Sequence, residues 1–131
     1  VKMDPPQRVP HDTEALSKAL LQSAAPLICV LTASATSDLR DVAPAAVVAA
    51  GGLIHVFGMP VDPGNLLFIG DIDGRQVIGL PGCARSPALN GADWVLERLV
   101  CGVDVTPADI AQMGVGGLLK EIPTRPRPRE S

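Results

Sequence analysis

Apolar and polar positions alternate along the chain in blocks that mark out an α/β protein. Residues 1–11 carry Pro5, Pro6 and Pro10 and form an irregular lead-in. Asp12 then caps a helix on which Leu16, Ala19, Leu20 and Ser23 share one face. Pro26 follows its end. Leu27 to Thr32 is a continuous apolar run of strand length, the pattern of a strand covered on both faces. The small, polar stretch Ala33 to Asp41 is a loop leading into a second helix, capped by Asp41 or Asp38, with Pro44 in the first turn and Gly51-Gly52 as its stop. Leu53 to Phe57 is a second apolar strand, so the spacing predicts a βαβ unit in a parallel sheet.

Turn residues dominate from Gly58 to Asn65. Leu66 to Asp71 and Gln76 to Leu80 form a hairpin through Asp73-Gly74. Ser86 caps a third helix with Pro87 at its first position, an apolar stripe of Leu89, Ala92, Leu96, Leu99 and Val100, and Gly102 as its stop. Thr106-Pro107 opens a short helix to about Met113. Gly114 to Ile122 suits a turn and a last strand. Pro123 to Ser131 is an extended Pro/Arg-rich linker or tail. Two parallel strands and a hairpin make a thin sheet for a doubly wound fold, so either the fold is small or the chain is part of a larger domain whose first strands lie upstream.

Composition narrows the function classes. At 131 residues the chain is one domain. Its only aromatics are Phe57, Phe68 and Trp94, which leaves little to stack on nucleic-acid bases. The segment from Lys120 onward holds four bases and two acids; of the chain's 11 bases and 14 acids this leaves the body 7 and 12, a net −5 that disfavours a duplex-binding surface. Cys29, Cys83 and Cys101 are odd in number and form no CxxC pair, so neither a disulfide framework nor a zinc site is expected, and a reducing cytoplasm is the default. No apolar run reaches membrane-spanning length.

Chemistry in an open α/β sheet gathers beyond the carboxyl ends of the strands. The loops Thr32 to Asp41 and Pro81 to Ser86 leave such ends and feed helix N-termini, whose free N–H groups suit an anion. Arg40 and Arg85, with the hydroxyls of Thr32, Ser34, Thr36, Ser37 and Ser86, are the partners such an anion would find; the same hydroxyls also serve as caps and the same arginines as solvated surface. Cys83 beside Arg85 invites a nucleophilic-thiol reading, but His11 and His55 are the only histidines to serve as its base. Asp38, Asp41, Asp62, Asp71 and Asp73 invite a magnesium site, although hairpin and capping roles explain several of them.

Five features in order give the segment Asp12 to Gly102 a family resemblance. They are the helix Asp12 to Leu21, which opens Asp12-Thr-Glu-Ala-Leu16 before an apolar strand, the strand and loop Thr32-Ala-Ser-Ala-Thr-Ser-Asp-Leu-Arg-Asp41, the helix stop Gly51-Gly52, the loop Asp62-Pro-Gly-Asn65 and the turn Leu80-Pro-Gly-Cys-Ala-Arg-Ser86. Together they resemble the later part of a molybdopterin-binding domain, shared by molybdopterin adenylyltransferase and molybdopterin molybdenumtransferase. The resemblance implies a three-layer α-β-α fold over residues 12–122, with a mostly parallel sheet and a hairpin, lacking the family domain's first strands. It implies molybdopterin or molybdenum cofactor as ligand, in the biosynthesis or modification of that cofactor. Thr32, Ser34, Thr36, Ser37, Pro81, Gly82, Arg85 and Ser86 would hold the pterin phosphate. Asp41 matches the family's acidic catalytic residue.

Ala33, Ser34 and Asp38 stand where the family has glycines, and Asp62 and Asn65 where the molybdenumtransferase branch has lysines; these departures imply binding without catalysis by this chain alone. The Pro/Arg-rich tail resembles the linker that leads, in some bacterial proteins, into a nucleotidyltransferase domain, which would bring Mg2+ with a nucleotide. Relatives associate as dimers or trimers, so a homo-oligomer is expected. The alternative is a non-catalytic oligomerisation or scaffold domain that has lost pterin binding.

Overall fold

In the computed structural model, residues 1–114 and 117–118 are described. The Asp12 carboxylate accepts from the Ala15 N–H at 2.9 Å and opens α1 (Thr13–Gln22), which buries Ser17 and Leu20. Arg75 closes the other end by donating to the carbonyls of Leu20 and Ser23, two acceptors the helix cannot satisfy itself. β1 (Leu27–Leu31) follows. α2 (Val42–Ala49) is made of Ala, Val and Pro, so it lies close on its neighbours with Ala43, Ala46 and Val47 buried. It stops where expected. Gly51 takes φ 84°, and the Gly51 and Gly52 N–H groups return to the Val48 and Val47 carbonyls. Gly52 is required there for a further reason: a Cβ would stand 2.3 Å from the Asp71 carbonyl oxygen.

β2 (Leu53–Phe57), β4 (Phe68–Ile72) and β5 (Arg75–Leu80) complete a four-stranded sheet with β1, in the order β1-β5-β4-β2. The hairpin turns at Asp73 and Gly74, both at positive φ, as the Asp-Gly pair predicts. β1 pairs with β5 in parallel, while β4 is antiparallel to both β5 and β2. β1, β5 and β2 therefore run the same way and β4 against them. The fold is mixed α/β.

One part of the prediction is overturned. The hairpin sits between β1 and β2, so these two strands are the edges of the sheet instead of covered neighbours. Cys29, Leu31, Leu53 and His55 are exposed. An apolar run does not distinguish an edge strand with one packed face from a strand packed on both.

Two hydrophobic clusters flank the sheet. One joins Leu20 of α1 and Ala43, Ala46 and Val47 of α2 to Val30, Phe68, Ile72 and Val77. The other joins Val56, Ile69 and Ile78 to Ala92, Val95 and Leu99 of α3 (Gly91–Val100) and Ile110 of α4 (Pro107–Ala111). Neighbouring residues Phe68 and Ile69, and Val77 and Ile78, go to different clusters, as the alternation of a strand requires.

The start of α3 corrects a second expectation. Ser86 and Pro87 do not begin it. Residues Gly82–Arg85 form a 3-10 turn that ends at Ser86, and the helix is capped four residues later by Asn90. Asn90 prevails because Asp93 stands three residues on: its carboxylate accepts the Asn90 N–H at 3.0 Å while Asn90 Oδ1 accepts from Ala92 at 2.9 Å. Leu89 is left outside the helix and exposed, Val100 is exposed, and Val95 takes the central buried position. Thr106 caps α4 with its own capping box to Asp109.

A small parallel pair joins β3 (Val61–Asp62) to β6 (Gly117–Leu118), the one described part of the strand expected between Gly114 and Ile122. The Pro/Arg-rich tail lies outside the described residues.

Candidate functional site

The ladder registers place the three candidate loops together. Leu31 lies beside Leu80, Gly79 beside Phe68, and Phe68 beside Phe57. The carboxyl ends of β1, β5 and β2 thus form a row along one end of the sheet. The loops beginning at Thr32, Pro81 and Gly58 all leave from that row.

The first loop is organised by its own polar groups. Thr32 Oγ1 donates to the Ser34 carbonyl at 2.6 Å and lies 3.5 Å from Thr36 Oγ1. Thr36 is buried, which makes it a structural hydroxyl more than a free ligand group. Ser34 Oγ meets His11 Nε2 at 3.2 Å, tying the lead-in to the loop. Asp41 occupies the N-cap position of α2, yet its carboxylate makes no cap bond to the helix. It turns back on the loop and accepts from the Ser37 N–H at 2.7 Å and the Asp38 N–H at 2.9 Å, with the Ser37 hydroxyl at 3.4 Å. The N–H groups of Asp38 and then Ser37 hold the Asp41 carboxyl below the usual carboxylate range. Asp41 thus takes up two backbone N–H groups of its own loop. Arg40 folds onto Asp38, Nε to Oδ1 3.3 Å, in an exposed pair.

The third loop reaches the first through one side chain. Arg85 Nη2 donates to the Thr32 carbonyl at 2.6 Å. Pro81 is fully buried, and Gly82 begins the 3-10 turn that carries Arg85 at its last position. Ser86 does not join the first loop. Its Oγ accepts from the Ala88 N–H of its own segment at 3.3 Å. Of the residues singled out from sequence, Arg85, Thr32, Ser34 and Thr36 are linked across the two loops, Ser37 and Asp41 bond to each other within the first, Pro81 and Gly82 lead into the turn that carries Arg85, and Ser86 bonds within its own segment.

Asn90 went unnoticed in the sequence and is central. It is 2% exposed, and its Nδ2 donates to Cys83 Sγ at 3.1 Å, joining the third loop to the start of α3. The second loop closes on the same point. The Gly91 N–H donates to the Pro63 carbonyl at 2.7 Å, and a Cβ on Gly64 would stand 2.7 Å from Asn90 Oδ1. The α3 N-terminus is therefore occupied by the protein's own acceptors, not left open to an anion. The Asn-x-x-Asp spacing of Asn90 and Asp93 was the available signal.

Two of the aspartates considered for magnesium are paired with basic side chains. Asp38 is committed to Arg40 and Asp71 to His55. Among the described residues no three His, Cys, Asp or Glu side chains are grouped to hold a metal ion. None of the described helices is long and apolar enough to cross a membrane. Cys83 has the Asn90 amide as neighbour and no histidine bonded to it. Compared with known proteins, the chain matches no family model, no curated protein and no solved structure.

Proposed function

We propose that the chain is a binding domain for a phosphorylated pterin dithiolene, molybdopterin or its metal-bound form, and that it serves molybdenum cofactor biosynthesis or modification beside a nucleotidyltransferase module. The observation that carries this reading is Arg85 bridging from the end of β5 to the Thr32 carbonyl at the end of β1. It puts a guanidinium beside the hydroxyl-bearing loop Thr32 to Asp41 at the carboxyl end of the sheet, where a planar fork of donors suits a phosphate. The two flanking clusters accord with a three-layer α-β-α domain, whose later part these four strands would represent. Thr32, Ser34 and Ser37 would contact the phosphate side of the ligand, with Pro81 and Gly82 shaping the opposite wall. Asp41 stays ionised and orders the first loop; its role is positioning, and the chain alone does not carry the transfer chemistry.

The test is retention of pterin by the purified chain after separation from free ligand, read as the fluorescent oxidation product. Near-stoichiometric pterin, reduced at least tenfold in Arg85→Ala, supports the reading. A folded chain that retains no pterin refutes it and leaves the second reading, a homo-oligomeric assembly domain. That reading is favoured by Asp41 already filling the Ser37 and Asp38 N–H groups and by the exposed apolar side chains of the edge strands.

A further inference from the structure

Two side chains from distant parts of the chain hold one short stretch of the first loop. Arg85, at the last position of the 3-10 turn after β5, donates to the Thr32 carbonyl at 2.6 Å. His11, at the end of the lead-in, meets Ser34 Oγ through Nε2 at 3.2 Å. Thr32 and Ser34 are themselves joined, because Thr32 Oγ1 donates to the Ser34 carbonyl at 2.6 Å. Two residues of chain span at most about 7 Å, so both side chains come to one turn of backbone, the scale of a single small ligand group.

The place of His11 is set by its own neighbours. Asp12 caps α1 and belongs to the body of the domain. The Asp12 N–H also bonds to the Pro10 carbonyl at 2.8 Å, which closes a tight three-residue turn centred on His11. The imidazole is thus presented to the loop by a residue one step from a helix cap.

What His11 and Arg85 share is the lack of an acid. Lys18 is paired with Glu14, Arg40 with Asp38 and His55 with Asp71, and Arg75 lies 3.9 Å from Asp73. Among the described residues neither His11 nor Arg85 has a carboxylate within ion-pair distance. Both are exposed, and the acceptors they meet on the loop are neutral oxygens. Asp41 is near enough for His11 to help hold its carboxyl low, yet its carboxylate bonds to the Ser37 and Asp38 N–H groups instead. A charged oxygen in place of a hydroxyl or a carbonyl takes a shorter and stronger hydrogen bond from the same donor.

We infer that His11 is a further ligand-binding residue, which donates from Nε2 to the phosphate monoester of the ligand while Arg85 donates from the other side of the Thr32–Ser34 turn. The inference rests on the pterin reading and extends that site to the lead-in, outside the loops at the strand ends.

The chain has two histidines, so each imidazole can be followed separately. The experiment is NMR of the ring nitrogens in 15N-histidine protein, assigned with His55→Gln, as molybdopterin is added under anaerobic conditions. His55, bonded to Asp71 from β2, is the internal reference. The expected result is that the His11 signals shift in proportion to bound pterin while those of His55 stay, and that an unphosphorylated pterin moves neither. His11→Phe keeps a ring at this exposed position and deletes the donor; it is expected to lower retained pterin about tenfold, with an unchanged far-UV circular dichroism spectrum. Pterin retained with the His11 signals unmoved, or retained equally by His11→Phe, overturns the inference and leaves the pterin reading standing. An equal shift with the unphosphorylated pterin overturns the assignment to the phosphate. A folded parent chain that retains no pterin overturns both.

Discussion

Adding a single methyl group at Gly79 tests how the central strands are held together. Gly79 of β5 lies directly across from Phe68 of β4, and the ring lies over the glycine. A Cβ there would stand 1.9 Å from Phe68 Cε1 and 2.2 Å from Cδ1. The ring has nowhere to retreat. Phe68 is fully buried among Leu20, Val47, Ile72 and Val77. Overpacking of a tight core costs about 1–3 kcal/mol, and a contact this short puts Gly79→Ala at the upper end. Domains of this size are stable by about 5–15 kcal/mol, so the loss is a large fraction. With a urea slope of about 2 kcal/mol/M, a loss of about 3 kcal/mol moves the midpoint down by about 1.5 M. The assay is urea unfolding followed by far-UV circular dichroism and by the fluorescence of Trp94, the only tryptophan, which packs against the cluster on the α3 side. The decisive variant is the pair Gly79→Ala with Phe68→Leu. Shortening the ring opens the space the new methyl needs, so the double variant is expected to be about 1–2 kcal/mol more stable than the sum of the two single losses. A Gly79→Ala variant within about 0.5 kcal/mol of the parent, or strict additivity, would refute the argument.

Two further outcomes follow from the loops. Asn90→Ala removes the α3 cap and leaves buried neighbours without partners, an expected loss of about 2 kcal/mol by the same unfolding assay; Ser86→Ala, at the position the sequence pattern favours, is expected to cost less than about 0.5 kcal/mol. Asp41 has its folded pKa lowered by the N–H groups of Asp38 and Ser37, so its contribution to stability is present above the ordinary carboxylate pKa of about 3.9 and is lost as pH falls through the lower folded value. Stability of the parent is therefore expected to fall more steeply as pH drops below about 4 than that of Asp41→Asn, and identical acid profiles would contradict the assignment.

Local chemistry made much of the fold readable. Asp12, the Gly51-Gly52 stop, Asp73-Gly74 and Thr106-Pro107 each mark a backbone event that one or two residues determine, and each stands where expected. Strand neighbours are a different matter. The insertion of the hairpin between β1 and β2 is decided by long-range packing, which an apolar run of five residues does not encode. The start of α3 was misplaced because Ser-Pro is a strong local cap pattern. The competing Asn90 has a carboxylate three residues on, and the buried site it enters is built by Pro63, Gly64 and Cys83 from two other segments. At the candidate site, residue types singled out two loops that the strand order brings side by side. Their partnerships were out of reach: neither Arg85 with Thr32 nor Asp41 with its own loop can be read without the strand order and the course of the backbone.

The parallel pairing of β1 with β5 also has a consequence for synthesis. Leu27 to Leu31 leaves the ribosome well before Arg75 to Leu80, which supplies its ladder and helps wall the cluster under Val30. At about 5–20 residues per second, the wait is about 2–10 s. Through that interval β1 waits for the strand that supplies its ladder, while β4 and β5, being a hairpin, find each other within microseconds once both are out. β1 can take up its ladder only once Leu80 has left the ribosome.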